Sequence, residues 1–505
     1  MKPSRPYQFA VIGVLVAIYI AARVWGMTAS CLWFDEIFSV HAAEHSWNEI
    51  LSFIALDLIH PPLFYVLLKL WIGIGGENLL WLRSFPVIVA VLAIFPFISL
   101  CRELKLDPGT RILALFFFAV NGSLIKYAQE VRMYSLLLFL SLFSMWLFAR
   151  YFNKGKSLVP LLLINVLLVY AHYFGWLVVV SEITAILIFQ RTKWRGALAM
   201  FAVTLVSFVP WIAAIVQAAR TGSGLGQNIG WMSRPGILAI IQFKLNLIEP
   251  FYYAASSIEP ISVYRVSIPL LLIVTVATIL YLVKWNLRSK DEKRTAYLLF
   301  IFVIAPVVVA FSASWLLPYS IWGTRHLIVV FAPVTILLAG AIMKISNAAV
   351  RTAAVTLIVL FSGYAFVLQA MRDTPHYSWC AWEPLSTQAL LESAPKIYVF
   401  EDLVGYHFWF ATRKISGGEV AKIPNIEGIV EDKAYFLPRG FDGVKAVEIA
   451  DVKEPRFWIA YRARSVDESK QPLKTFIERG YRVAEIKESI ASSENAILVL
   501  LEKVN

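Results

Sequence analysis

The stretch Val266–Val283, VSIPLLLIVTVATILYLV, decides the fold class because it runs for eighteen residues without a charged side chain. Arg265 precedes it and Lys284 follows it. A run of about 20 apolar residues is what an α-helix needs to cross the hydrocarbon core of a bilayer. The stretch therefore predicts a membrane-spanning helix.

Similar apolar runs recur along the first three quarters of the chain. They begin at or near Gln8, Leu79, Arg111, Met133, Leu158, Phe174, Ala197, Ala296, Leu327 and Arg351. Of the 505 residues, 59% are hydrophobic and only 16% are charged, and the mean hydropathy is +0.67. This composition excludes an ordinary soluble enzyme and predicts a polytopic α-helical membrane protein with about eleven spans.

The formal net charge of +12 is distributed unevenly. Residues 1–371 hold 28 Lys and Arg against 14 Asp and Glu, whereas residues 372–505 hold 18 against 20. The basic residues form short clusters between spans, such as Arg191, Lys193 and Arg195. With a cytoplasmic N-terminus, these clusters fall on the cytoplasmic side, as the positive-inside rule requires. The charge therefore predicts the orientation of the chain and gives no indication of a nucleic-acid partner. The compact loops and plain topology suggest a bacterial inner membrane.

The predicted transmembrane domain, residues 1–371, contains two long external segments, 28–78 and 220–265. The second opens with the glycine-rich Gly222–Gly226. Segments of this length are candidates for lids or binding loops. Leu63–Ile74, within the first segment, is apolar but only about a dozen residues long, so we predict a helix at the outer membrane surface rather than a span.

Residues 372–505 change to short β-rich runs that alternate with polar helical stretches such as Glu468–Arg479. This pattern predicts a small α/β domain. An odd number of spans places the domain outside the cytoplasm. The predicted strands are Lys396–Phe400, Arg456–Tyr461, Tyr481–Ile486 and Ala496–Leu501.

Two adjacent carboxylates, Asp35 and Glu36, stand just beyond the first span. Neighbouring side chains on a helix point about 100° apart, so one can face a cleft while the other meets a partner. A carboxylate here could act as a base or hold a divalent cation. Acids in a first helical turn also complement the helix dipole, which explains the pair equally well on its own.

Ionisable residues gather at the external ends of several predicted spans: Asp35, Glu36, His60, Glu130, Arg132, His172 and Arg325. Such groups are costly at a membrane unless they are used or paired, so they indicate a functional site. Structural roles stay open for three of them, and His60, which precedes two prolines, could be a turn residue. Arg132 could pair with Glu130 or Asp35, and His172 could be a core histidine bonded to the backbone.

Four motifs carry a resemblance to a known family. They are the block Trp33–Trp71 with its Asp57-Leu58-Ile59-His60-Pro61-Pro62-Leu63 turn, Tyr127–Tyr134 (YAQEVRMY), Ala171–Gly175 (AHYFG) and Arg325-His326-Leu327. Over roughly residues 1–345, the chain closely resembles the protein-mannosyltransferase-like glycosyltransferases of the GT-C class. The lipid A aminoarabinose transferases are relatives of that family. Tyr134 stands where many members have Asp.

The resemblance implies a GT-C architecture and an inverting glycosyltransferase that moves a hexose or pentose from a polyprenyl-phosphate donor to an extracytoplasmic hydroxyl. The acceptor, whether protein, lipid or polysaccharide, is left open. The expected catalytic residues are Asp35, as general base, and Glu36. The expected donor-phosphate and substrate-binding residues are Arg132, Arg325, Glu130, His60, His172, Tyr134 and Tyr173.

The sequence is also compatible with other interpretations. The sequence leaves open whether Asp35, Glu36 and Glu130 bind a divalent cation. A transporter or flippase of lipid-linked sugars is the main rival function, although there is no clear duplicated half and the ionisable groups lie at one external face rather than at the midplane. A polysaccharide ligase or a phosphoethanolamine transferase is less favoured. Cys31, Cys101 and Cys380 lack metal-ligand spacing and predict nothing about function.

Overall fold

The structure, a computed structural model, describes residues 5–220, 229–230, 232–251, 264–372, 377–391, 396–414, 419–426, 437–438, 441–491 and 494–504. The glycine-rich segment 222–226, and with it part of the predicted external segment 220–265, lies outside these residues. The chain divides into two compact units. We call residues 1–27, 60–217 and 232–373 the membrane unit, and residues 28–59, 218–231 and 374–505 the α/β unit.

The membrane unit is built from helices. Their bounds are α1 (Arg5–Val24), α4 (Leu63–Gly75), α5 (Leu79–Leu92), α6 (Ile94–Glu103), α7 (Pro108–Val120), α8 (Gly122–Ala128), α9 (Tyr134–Lys154), α10 (Leu158–Ala171), α11 (Gly175–Phe189), α12 (Trp194–Ala219), α13 (Ile237–Ile248), α14 (Tyr264–Val283), α15 (Lys290–Leu316), α16 (Phe331–Met343) and α17 (Ala348–Ala370). A 3₁₀ helix, His326–Val330, leads directly into α16.

Within the described residues, seven helical segments are long and apolar enough to cross a membrane. They are Leu79–Glu103, Tyr134–Lys154, Arg191–Ala219, Tyr264–Val283, Lys290–Leu316, His326–Met343 and Ala348–Ala370. The remaining predicted spans correspond to α1, α7, α10 and α11, which have 20, 13, 14 and 15 residues. The prediction of a polytopic helical protein is confirmed.

Polar side chains mark the helix starts where the sequence supplies them. Asn78 accepts a hydrogen bond from the backbone N–H of Trp81 at the start of α5. Ser289 and Glu292 form a reciprocal capping box at the start of α15. Such caps satisfy backbone N–H groups that have no partner inside the helix.

One carboxyl group lies buried among three helices of the membrane unit. Glu182 of α11 is fully buried, as are Ser144 of α9 and Asn165 of α10. The Ser144 Oγ lies 2.6 Å from Oδ1 of Asn165 and 2.6 Å from Oε1 of Glu182. Nδ2 of Asn165 donates to Oε2 of Glu182 over 2.7 Å. The three side chains therefore close a ring of hydrogen bonds.

The α/β unit combines two helices from the first external segment with the C-terminal part of the chain. Its helices are α2 (Phe34–Glu44), α3 (Ile50–Asp57), α18 (Trp382–Leu391), α19 (Asp402–Thr412) and α20 (Leu473–Glu478). Its strands are β1 (Lys396–Val399), β2 (Glu419–Lys422), β3 (Lys445–Ala446), β4 (Arg456–Ala463), β5 (Tyr481–Ser489) and β6 (Asn495–Lys503).

The strands form one sheet in the order β3-β2-β1-β4-β6-β5. Strands β3, β2, β1 and β4 are parallel, while β6 runs antiparallel to both β4 and β5. The four strands that the sequence predicts are confirmed as β1, β4, β5 and β6. β2 and β3, which have four and two residues, were not predicted.

Apolar cores cover both faces of this sheet, and successive residues of β4 belong to one core or the other in turn. Trp458 and Ala460 join a core that includes residues of α18 and α19. Phe457 and Ile459 join a second core on the other face, which includes residues of α20. Successive side chains of a strand point to opposite faces, so a strand covered on both sides is apolar throughout.

Candidate functional site

A cluster of arginine and histidine side chains lies at helix ends in the membrane unit. Arg132, in the bend between α8 and α9, is 2% exposed. Its Nη2 lies 3.0 Å from Nε2 of His60, and its Nη1 lies 3.4 Å from the hydroxyl of Tyr65. The rings of His60 and His172 are 6.1 Å apart. The chain thus brings together side chains that are more than 100 residues apart in sequence.

Arg325 and His326 belong to the same cluster. Arg325 is 5% exposed and precedes the 3₁₀ helix that leads into α16. The ring of His326 lies 5.7 Å from that of His172. Arg132 and Arg325 both act electrostatically on His172. We call Arg132, Arg325, His60, His172 and His326 the arginine–histidine cluster.

Hydrogen-bond partners determine which nitrogen of each neutral histidine carries the proton, from the backbone for His172 and His326 and from Arg132 for His60. The Phe174 N–H donates to Nδ1 of His172 over 3.1 Å, so His172 carries its proton on Nε2. Nδ1 of His326 lies 3.1 Å from the carbonyl oxygen of Ile321 and must donate to it. The guanidinium of Arg132 can only donate, so Nε2 of His60 accepts.

Burial keeps His172 in its neutral form. Burial is the main reason why the pKa of His172 lies well below its usual range. Nearby groups, including Arg132 and Arg325, lower this pKa further. A neutral imidazole with its proton on Nε2 is a hydrogen-bond donor that stays available at physiological pH.

Glu130 lies two residues before Arg132 in the sequence and forms an ion pair with Lys126. Its Oε1 is 3.0 Å from Nζ of Lys126, and both side chains are almost fully buried. The backbone N–H of Arg132 donates to the carbonyl oxygen of Glu130 over 2.6 Å. These two contacts of Glu130 therefore stabilise the bend that carries Arg132.

The two predicted tyrosines occupy different surroundings. Tyr134 is buried at the first turn of α9, where its ring contacts that of Tyr127 at 5.2 Å. The hydroxyl of Tyr173 accepts a hydrogen bond from Nε1 of Trp211 over 3.2 Å. Substrate binding by either tyrosine stays a prediction.

The acid pair lies in the α/β unit, in the first turn of α2. Glu36 is fully buried, and its Oε2 accepts a hydrogen bond from the backbone N–H of Trp33 over 3.1 Å. This contact caps the helix. Asp35 is half-buried. The two adjacent carboxylates therefore differ in exposure, and Asp35 is the one that solvent reaches.

A disulfide joins Cys31 to Cys380 within the α/β unit, with 5.3 Å between the Cα atoms. No local signal in the sequence predicts this disulfide, since the two cysteines are 349 residues apart. His326 was also missed as a site residue, although the motif Arg325-His326-Leu327 contained it. Its position beside His172 depends on how the helices pack.

No metal centre is found among these residues in the described part of the chain. Among the residues that the structure describes, no group of three or more His, Cys, Asp or Glu side chains could hold a metal ion. A cavity of about 470 Å³ is lined by Lys105, Asp107, Lys154, Arg294 and Lys344, among others, and by no member of the arginine–histidine cluster.

Solved structures resemble this chain in fold. ArnT from Cupriavidus metallidurans in the apo state matches with a TM-score of 0.54 and 9% identity, over 98% of each chain. The same protein bound to undecaprenyl phosphate gives a TM-score of 0.53 over 99% of this chain and 98% of that one. The Archaeoglobus fulgidus oligosaccharyltransferase in complex with Zn and sulfate gives 0.50 at 14% identity, over 79% of this chain.

The fold is that of the GT-C glycosyltransferases. The match to ArnT extends along nearly the whole length of both chains, whereas this chain spans only 61% of the oligosaccharyltransferase. No protein-family model and no curated protein sequence matches the chain. The GT-C fold predicted from the motifs is thus confirmed by structure, at identities that establish the fold alone.

Proposed function

We propose that the chain is a membrane glycosyltransferase that takes a sugar from a polyprenyl-phosphate donor and transfers it, with inversion, to a hydroxyl of an extracytoplasmic acceptor. The observation that carries the proposal is the arginine–histidine cluster, in which two buried guanidinium groups lie next to neutral histidines. The GT-C fold supports it. ArnT, which shares the fold, was solved bound to undecaprenyl phosphate.

The donor phosphate binds to the cluster through Arg132 and Arg325. A guanidinium group donates two parallel hydrogen bonds to a phosphate, and such charge-assisted bonds are about twice as strong as neutral ones. His60 and Tyr65 hold the guanidinium of Arg132 in place through the two contacts described above. The Nε2–H of His172 supplies a further, uncharged donor.

The reaction exchanges one bond at the anomeric carbon for another. The bond from that carbon to the phosphate oxygen breaks, and its electron pair stays on the phosphate, where the two arginines stabilise the charge. The acceptor oxygen forms the new bond from the opposite face while the sugar carries oxocarbenium character. The acceptor proton passes to a carboxylate. The products are a glycoside and polyprenyl phosphate.

Asp35 is the proposed general base, and Glu36 is its support. Asp35 is partly exposed and can meet a hydroxyl group, whereas Glu36 is buried and caps α2 through Trp33. A base must come within about 2.6–3.2 Å of the proton-bearing oxygen in the productive complex. Replacing Glu36 should therefore weaken the position of Asp35 rather than remove the base itself.

The disulfide supports the proposed orientation. Disulfides persist in oxidising compartments and are rare in the cytosol of mesophiles. Cys31 belongs to the first predicted external segment and Cys380 to the C-terminal domain. Both lie on the external side when the N-terminus is cytoplasmic and the number of spans is odd.

Donor binding can be tested before the acceptor is known. Purified protein in lipid nanodiscs is incubated with synthetic polyprenyl phosphate, and the bound lipid is measured by native mass spectrometry. Arg132→Ala and Arg325→Ala should each lower the affinity by roughly 10- to 100-fold, because a hydrogen bond to a charged group is worth about 1.5–3 kcal/mol. Unchanged affinity in both variants would refute the assigned phosphate site.

Arg351→Ala is the matched control. Arg351 is also an arginine of the membrane unit, but it donates to the carbonyl oxygen of Ile345 near the start of α17. This variant should bind the lipid as wild type does. Transfer by purified protein without any ion or voltage gradient then separates an enzyme from a flippase, because transport alone leaves the sugar attached to its lipid.

A further inference from the structure

The helix that carries the acid pair is attached to the C-terminal sheet domain along its whole length. Helix α2 has eleven residues. Isolated helices shorter than about 12–15 residues are marginal in water, so most of the order of α2 must come from packing. Within the α/β unit, α2 packs against α19 and against α3, and the contacts with α19 attach it to the C-terminal part of the chain. Three sets of contacts, at the start, middle and end of α2, make the attachment.

The disulfide holds the start of α2. Cys31 lies four residues before Asp35, and its partner Cys380 lies in a 3₁₀ helix, Ser378–Ala381, just before α18. The ring of Phe34, the first residue of α2, lies 5.2 Å from that of Tyr406 on α19. The backbone next to Asp35 is therefore attached both covalently and by an aromatic contact.

A buried histidine holds the middle of α2. Nδ1 of His41 lies 2.8 Å from the hydroxyl of Tyr406. Its ring contacts that of Trp409 at 4.6 Å and that of Phe441 at 5.4 Å. Tyr406 and Trp409 stack on each other with an angle of 6° between their planes. Aromatic pairs in such arrangements contribute beyond the apolar area that they bury.

An ion pair holds the end of α2. The guanidinium of Arg413, just after α19, donates from Nη2 to Oε1 of Glu44 over 2.8 Å, and its Nε–H is shared between Oε1 and Oε2 at 3.1 and 3.2 Å. Two donors from one guanidinium fix the orientation of a carboxylate as well as its position. Both side chains are mostly buried, which limits screening by solvent.

Helix α19 is itself rigidly placed. Its Val404 and Phe408 belong to the core that covers one face of the sheet, together with Ile397 and Val399 of β1. The sheet therefore fixes the position of α19, and α19 in turn fixes the position of α2. A sheet with two apolar cores is a firm base for this, because packed interiors deform little.

We propose that the C-terminal α/β domain is a positioning element for Asp35, acting through Cys31–Cys380, Tyr406 and Arg413. The inference rests on the proposed function, which makes Asp35 the base. Displacing a reacting group by 1 Å can cost about 100-fold in rate. Loosening α2 should therefore lower kcat while leaving the affinity for the donor lipid unchanged, since the donor phosphate binds elsewhere in the chain.

The test compares three variants of the full-length protein in nanodiscs: Cys31→Ser combined with Cys380→Ser, Tyr406→Phe, and Arg413→Gln. Hydrogen exchange followed by mass spectrometry should show faster exchange of the amides of residues 34–44, with β1, β4 and β6 still protected. In the same preparations, kcat should fall roughly 10- to 100-fold with donor binding as in wild type. Dithiothreitol should slow the wild type and leave the double serine variant unaffected.

Two matched controls keep the interpretation specific. Cys101→Ser replaces the free buried cysteine of the membrane unit. Tyr481→Phe removes a hydroxyl whose hydrogen bond goes to the Glu454 carbonyl, within the α/β unit but away from α2. Both controls should keep wild-type exchange in residues 34–44 and a wild-type kcat.

The possible outcomes separate this inference from the proposed function. Unchanged exchange in residues 34–44 overturns the inference whatever the activity. Faster exchange with unchanged kcat, or with an equal loss of donor affinity, overturns it as well. If Asp35→Asn transfers sugar at the wild-type rate, the proposed base is wrong, and that result is obtained without any of the positioning variants.

Discussion

Replacing Glu182 tests whether its buried carboxyl group is protonated. The hydroxyl of Ser144 has one proton, yet its oxygen lies 2.6 Å from two oxygens, Oδ1 of Asn165 and Oε1 of Glu182. If Glu182 carries a proton, it donates to Ser144, Ser144 donates to Asn165, and Asn165 donates back to Glu182. Each of the two oxygen–oxygen contacts of Ser144 then has its own proton. If Glu182 were ionised, the single hydroxyl proton of Ser144 could serve only one of them.

Two substitutions are expected to have very different effects. In Glu182→Gln, the amide nitrogen can donate to Ser144 and the amide oxygen can accept from Asn165, so the free energy of unfolding should stay within about 1 kcal/mol of wild type. Glu182→Ala removes two hydrogen bonds between helices, worth about 0.6–1.7 kcal/mol each in a membrane, and leaves a cavity. We expect a loss of about 2–4 kcal/mol.

The difference in the free energy of unfolding is measured in mixed micelles with increasing amounts of a denaturing detergent. The protonation state of Glu182 at neutral pH is measured by difference infrared spectroscopy of wild type against Glu182→Gln. The account predicts the carbonyl band of a protonated carboxylic acid in wild type that is absent from the variant. A Gln variant as unstable as the Ala variant, or a carboxylate signal in place of the acid band, would refute the reasoning.

Further predictions concern the α/β unit. Burial, then the charges of His45 and Arg413, lowers the pKa of His41 to about 3. Below pH 6.5 the unfolded chain therefore binds a proton on His41 that the folded chain does not bind. The free energy of unfolding is not reduced by this difference above pH 6.5, and it decreases as the pH falls toward 3. Thermal melts of His41→Asn should show a flatter pH dependence in that window, and a slope equal to wild type would contradict it. For the ion pair, Glu44→Gln and Arg413→Gln should each lower the melting temperature, and a double-mutant cycle should give a coupling of about 0.5–3 kcal/mol. Additive effects would show that the pair contributes nothing.

The sequence predicts the membrane architecture well because the signal is local. Each predicted span lies at a helix of the structure, and Leu63–Ile74, which was excluded as a span, is the 13-residue helix α4. Strands β1 and β4 to β6 follow from short apolar runs. β2, with the sequence EVAK, has no alternation that would distinguish it from a loop.

The site could be predicted only in part. Motifs pointed to Arg132, His60, His172 and Arg325, and the structure brings these side chains into one cluster. Spacing could not distinguish the roles of Asp35 and Glu36, because their difference in burial depends on how α2 packs. The association of residues 28–59 with the C-terminal domain was also invisible, since it depends on contacts between segments about 350 residues apart.

The most direct measurement is the release of polyprenyl phosphate from synthetic polyprenyl-phosphate sugars by purified protein in nanodiscs, with a cell-envelope extract as the source of acceptor and no gradient. Wild-type protein should release the lipid phosphate only when the extract is present. Asp35→Asn should bind the donor lipid as wild type does and release none. If wild-type protein binds the donor but leaves every tested sugar on its lipid, or if Asp35→Asn releases the lipid at the wild-type rate, the account is contradicted.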